Sequence, residues 1–260
     1  MKKLLTLAIL LLAGLQLFAA DTQLDSLKMK LQQNTNDTLK GQIYTQIASQ
    51  YLKYDTIANR RKKFYYQSEA LNYTMLALHN YSKYEDTTGL RVSFDNLAKV
   101  YHSQKKYSQA KWFILQSSYL SRVKKDIPNL VASLIKLSTI KMDLKDYKLA
   151  MRDLNEALSL STANKIPKLE SAVQLNYSFL YNRMKDYEKG TIALKRSQAI
   201  DEDIKKDEAA QILAMQAGQD SIQARKTDSV VSSKKKSYVS TNKKKILRKT
   251  LPSPKRLASL

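Results

Sequence analysis

Apolar and small residues in this chain recur at helical spacing, interrupted by short polar joints. Phe94, Leu97, Ala98 and Tyr101 are spaced 3, 1 and 3 apart, which places them on one face of a helix. After a break, Tyr107, Ala110, Ile114 and Ser117 mark a partner helix. The pattern returns as Leu134, Leu137, Ser138 and Lys141, then Tyr147, Ala150, Leu154 and Ala157. It returns again as Gln174, Tyr177, Ser178 and Tyr181, then Tyr187, Gly190, Leu194 and Ser197. The joint inside each pair is nearly constant: KKYSQA at 105–110, KDYKLA at 145–150 and KDYEKG at 185–190. A fixed interval of forty residues is the mark of a stacked-repeat protein. The small residue at 110, 150 and 190 lets two helices approach closely, and the Tyr three places earlier can pack its ring on the turn while its hydroxyl stays wet.

The flanks extend the pattern. Asn34 to Thr38 is a polar cluster with Asn36 or Asp37 placed to cap a helix that carries Ile43, Ile47, Ala48 and Tyr51. Residues 55–62 interrupt it, a second helix runs from about Lys63 to Ser82, and Tyr84 to Gly89 is the next break. Asp126 is placed to cap a helix with Pro128 in its first turn, and Pro167 marks another start. After Asp201 the register fades, and Ile204, Ile212, Met215 and Ile222 form only a narrow stripe, as on a polar capping helix. The expected fold is all-α: an α-solenoid of stacked antiparallel helix hairpins. Residues 21–36 are read as a linker, 37–203 as about four hairpins and 204–226 as the cap. One hairpin cannot bury both of its faces, so stacked neighbours supply the remaining core.

These residues resemble the tetratricopeptide repeat. With units numbered from Arg91, Val131 and Ser171, the family prefers a small residue at position 8, Tyr at 11, Tyr near 17, Ala at 20, a large apolar residue at 24 and Ala at 27. The first unit offers Ala98, Tyr101, Tyr107, Ala110, Ile114 and Ser117; the second Ser138, Lys141, Tyr147, Ala150, Leu154 and Ala157; the third Ser178, Tyr181, Tyr187, Gly190, Leu194 and Ser197. A stretched earlier copy has Ala48, Tyr51, Ala70, Thr74 and Ala77. The departures are a forty-residue period in place of thirty-four, no Trp at position 4 and no Pro at position 32. HEAT-like helical repeats, of similar period, are the alternative fold.

The resemblance implies a concave face lined by the first helix of each unit. Asn96, Lys136 and Asn176 occupy its position 6, with Gln46 in the stretched copy; Lys99 occupies position 9, and Asn182 and Arg183 positions 12 and 13. Asn and Lys at such places are similar to parts of the family's clamp for a peptide carboxylate, where amides hold the backbone and a cation pairs the acid. Asp95 and Ala132 depart from that clamp. The competing reading is a solvated polar face. The layout is also similar to the extracytoplasmic sensor region of certain bacterial histidine kinases, which implies a relative of such sensors without kinase activity.

Composition changes the picture at the two ends. Lys2 and Lys3 precede an apolar run, Leu4 to Phe18, followed by Ala19-Ala20 and then polar Asp21. That is the layout of a signal peptide over 1–20, and it places the chain in the periplasm or cell envelope; an uncleaved anchor is the alternative. Lys and Arg number 45 against 23 acids, a net +22. Residues 225–260 hold twelve of those cations and one acid, so 227–260 reads as a disordered basic tail. Lys234, Lys235, Lys236, Lys243, Lys244, Lys245, Arg248 and Lys249 are its candidate contacts to a membrane surface, a nucleic acid or another polyanion. The five Gly and four Pro suit long helices better than sheets. There is no Cys, His79 and His102 are the only histidines, and no Gly-rich phosphate loop, HExxH or GxSxG occurs. The expected function is therefore a non-catalytic interaction scaffold for a peptide or protein partner, with no cofactor, no metal and no small-molecule substrate. An anion-binding protein acting through the tail is the alternative.

Overall fold

The computed structural model describes residues 23–54, 57–216 and 219. The signal-like segment 1–20 and the basic tail lie outside these residues. Two units divide the chain after Asp201. In the first, α1 spans 23–33, followed by α2 (Asp37–Lys53), α3 (Arg60–Lys83), α4 (Thr87–Ser103), α5 (Tyr107–Val123), α6 (Ile127–Asp143), α7 (Tyr147–Ala163) and α8 (Pro167–Arg183), and α9 covers 187–201. In the second unit, 202–216 are helical and nearly all exposed.

Consecutive helices pair as α2/α3, α4/α5 and α6/α7, and each hairpin packs on the next through α3/α4, α5/α6 and α7/α8. The core follows the sequence stripes. Leu97, Ala98, Ala110, Ile114, Leu134, Leu137, Ala150, Leu154 and Ala157 are all buried. Leu194, at the corresponding place in α9, is 37% exposed. Serines fill close contacts both between and within hairpins: Ser117 Oγ of α5 lies 3.3 Å from Ser133 Oγ of α6, and Ser171 Oγ of α8 lies 3.0 Å from Ser197 Oγ of α9. A hydroxyl that finds a hydroxyl partner is buried at little cost.

The joint recurs every twenty residues, twice as often as the sequence motif suggests. Glu85, Lys105, Lys125, Lys145, Lys165 and Lys185 all have positive φ, between 54° and 65°. Each follows a helix end, and its N–H bonds back three residues while the next N–H bonds back five; at one joint these are Lys105 N to His102 O and Lys106 N to Tyr101 O. This pair of bonds satisfies the last free carbonyls of a helix and ordinarily uses glycine. The residue after each turn then starts the next helix. Asp86, Asp126, Asp146 and Asp186 accept N–H bonds from the new first turn, whereas Lys106 and Ile166 do not cap with a side chain. Behind Ile166 stands Pro167, which suits the first helical position.

Two sequence expectations are changed. The stretch 21–36 read as a linker contains α1, and Leu24 is buried against Ile43, Ile47 and Tyr51. Leu24, Leu27 and Leu31 carry the helical spacing that signals it. The extra length of the first hairpin enters mainly as helix: α3 has 24 residues where α4 to α8 have 17 each.

Candidate partner-binding face

The first helices of successive hairpins, α4, α6 and α8, are joined by a chain of polar side chains. Asp95 on α4 is its first hub. Its carboxylate takes Arg91 at 3.2 Å, Lys136 of α6 at 2.9 Å and the Ser117 hydroxyl of α5 at 2.7 Å. Asp143 at the end of α6 is the second, contacting His102 Nε2 at 2.6 Å and Arg183 of α8 at 2.8 Å. Arg183 also reaches the carbonyl of Met142. Between the hubs, Thr139 donates to Asn176 Oδ1 at 3.3 Å, and Asn176 donates to the Ala172 carbonyl.

A cavity of about 130 Å³ opens between α4 and α6. Ala98, Ile114 and Ile140 line it together with Asp95, Lys99, His102, Lys136 and Thr139. Arg91 and Lys136 already share Asp95, so Lys99 stands at this cavity with no ion pair among the described residues. The side chain is exposed, yet nearby protein removes enough water from the ammonium to hold its pKa below the usual lysine value. Lys136 adds to that depression and Asp95 opposes it. A cation in this position is stabilised by any anion that replaces the lost water.

Of the residues expected on this face, Lys99 and Lys136 share one cavity, and Asn176 and Arg183 extend the same polar chain. Asn96 is buried, 4% exposed, and its Nδ2 has no hydrogen-bond partner among the described residues. Asn182 is exposed at the end of α8 and leans over Gly190: a Cβ there would sit 2.4 Å from its Oδ1. The exposed amide can turn aside, so this contact does not by itself require glycine where the first two copies have Ala110 and Ala150. The lysines and the arginine assigned to the tail lie outside the described residues. Asp95 and Asp143, which organise the face, were not among the expected contacts, although their sequence distances of 41 and 40 from Lys136 and Arg183 match the repeat interval.

Residues 131–164 match the family model of the tetratricopeptide repeat. No curated protein sequence matches the chain. Among solved structures, the chain is similar to BtubC (BKLC) from P. vanneervenii, with 15% identity over 66% of this chain and 67% of that one and a TM-score of 0.54. It is also similar to the apo form of RapI, with 16% identity over 70% of this chain and 63% of that one and a TM-score of 0.57. At such identities the likeness is one of fold. The α6/α7 unit thus matches the tetratricopeptide-repeat model itself, and the neighbouring hairpins share its turns and its packing.

Proposed function

We propose that the protein is an exported, non-catalytic scaffold that holds a peptide or protein partner on the face made by α4, α6 and α8. The fold supports protein–protein interaction as its general role. The observation that carries the specific reading is Lys99, a partly desolvated cation without an ion pair among the described residues, at the mouth of an apolar-floored cavity. The segment it favours is acidic. Export rests on the sequence of residues 1–20. A non-catalytic role fits a sequence without Cys and without a recognisable nucleophile–base motif.

Crosslinked capture from a cell-envelope fraction tests this, comparing the wild-type chain with Lys99→Glu. The exposed position leaves folding intact, and capture should fall at least several-fold; equal capture by both proteins sinks the assignment. A second reading, contact with polyanions through the tail, is favoured by the ten Lys and Arg of 227–260. Deleting 227–260 separates the two, because capture on the helical face survives that deletion and tail-borne capture does not.

A further inference from the structure

The third repeat lacks a ring that the first repeat has. In the first, Tyr101 stacks on Phe113, with centroids 5.3 Å apart and planes 6° apart. Forty residues later the same two places hold Lys141 and Asp153, and forty later again Tyr181 and Ala193. Tyr181 therefore keeps the aromatic partner's position while alanine has removed the partner. What remains is an open cavity of about 320 Å³ between α7, α8 and α9. Its walls are Leu158, Tyr177, Tyr181, Ile192 and Ala193.

Two of the walls are aromatic rings. Tyr177 and Tyr181 are themselves stacked at 6.1 Å and 20°. The Tyr177 hydroxyl donates to Asn155 Oδ1 at 2.5 Å, which fixes that ring. Charge at the rim is positive. Lys189 lies 5.9 Å over the Tyr181 ring and pairs with Asp186 at 2.8 Å. Arg196 lines the same opening and has no ion pair among the described residues.

We infer that this cavity is a second binding site, which takes a planar aromatic group carrying an adjacent anion. The ring stacks on Tyr181 in the place that Phe113 fills in the first repeat, and the anion meets Arg196. The inference does not depend on the face proposed above, since it uses none of the same residues. The chemistry has two sources, an aromatic side chain beside a carboxylate in a peptide, or a free aromatic acid.

Titration of the full chain with phenylacetate, with N-acetyl-Asp-Phe-amide and with neutral benzyl alcohol, read by the ring-proton NMR shifts of Tyr181, tests the site. Phenylacetate should saturate with Kd on the order of 1 mM, as expected for about ten heavy atoms. Tighter binding of the dipeptide indicates a peptide source, and tighter phenylacetate a free acid. Ala193→Phe restores the pair of the first repeat and should weaken both anionic probes at least tenfold while raising the melting temperature. Should that variant fail to fold, Ala193→Leu, a smaller filling of the same place, replaces it, with the same loss expected. Arg196→Gln, at an exposed position, should weaken the anionic probes several-fold and leave benzyl alcohol unchanged. No shifts at Tyr181 with any probe, or equal binding by wild type and Ala193→Phe or its substitute, overturns the site; equal loss of all three probes in Arg196→Gln overturns the role given to the anion.

Discussion

Tyr101 lies flat on Phe113 between α4 and α5, while at the equivalent places between α6 and α7 Lys141 meets Asp153 at 2.6 Å. Both pairs bridge the two helices of a hairpin, yet they hold it differently. The stacked rings are tolerant: losing one leaves an apolar partner that can shift. The ion pair is buried on both sides, with side chains 7% and 5% exposed. Two charges taken from water regain little beyond their desolvation cost, but either one alone is strongly destabilising. Burial pushes the Asp153 carboxyl above its ordinary value, and the Lys141 ammonium, which pulls it down, does not fully offset that. One fold therefore accommodates a forgiving joint and an all-or-none joint forty residues apart.

The largest effect follows from breaking the second pair on one side. Lys141→Met should cost about 3–5 kcal/mol in urea unfolding at pH 7. Because the folded state raises the Asp153 pKa above 3.8, the native chain holds that proton more tightly than the unfolded one. The stabilising share of this group is complete below the ordinary value and is lost as pH rises through the folded value. The deficit of Lys141→Met should accordingly shrink as the pH is lowered from neutrality. A smaller effect of opposite sign comes from grafting the first pair into the second hairpin. Lys141→Tyr with Asp153→Phe should unfold at equal or higher urea, a gain of up to about 4 kcal/mol. If the double variant is weaker than Lys141→Met, the two slots are not equivalent.

The turns sharpen the same comparison. Asp146 caps α7, but the equivalent Lys106 gives α5 no side-chain cap. Lys106→Asp should add about 1 kcal/mol, measured by thermal unfolding. Smallest of all, Lys145→Gly removes the Cβ from a left-handed residue with φ of 63° and should change stability by about 1 kcal/mol or less, in the stabilising direction.

Much of this architecture is legible in the sequence because it is local. Ala98, Leu134 and Leu154 are buried where the helical stripe puts them, and Asn36 and Asp126 cap the helices they were read to cap. The joints at Glu85, Lys125 and Lys165 were harder to see as copies of the other three, because the KDY signature is a side-chain pattern whereas the shared feature is a backbone conformation. The face was only half legible. Lys99 and Arg183 are on it, but the pairing of Lys136 with Asp95 depends on how far two hairpins are offset, which no window of one helix contains. Asn96 follows the surface pattern of its helix and is buried nonetheless, because neighbouring helices decide its exposure. Lys141 stands at the position where the family prefers Tyr. Its explanation, Asp153, stands twelve residues later on the next helix.

The six left-handed joints make the chain a series of interchangeable segments. Each joint closes the backbone bonds of the helix behind it, and most also open the helix ahead, within four or five residues. No long-range partner is needed to form one. Removing forty residues between two like joints, such as 127–166, rejoins Asp126 directly to Pro167 and keeps every remaining helix on its own side. Removing twenty would turn each later hairpin inside out. Length in this protein can therefore change by whole pairs of helices.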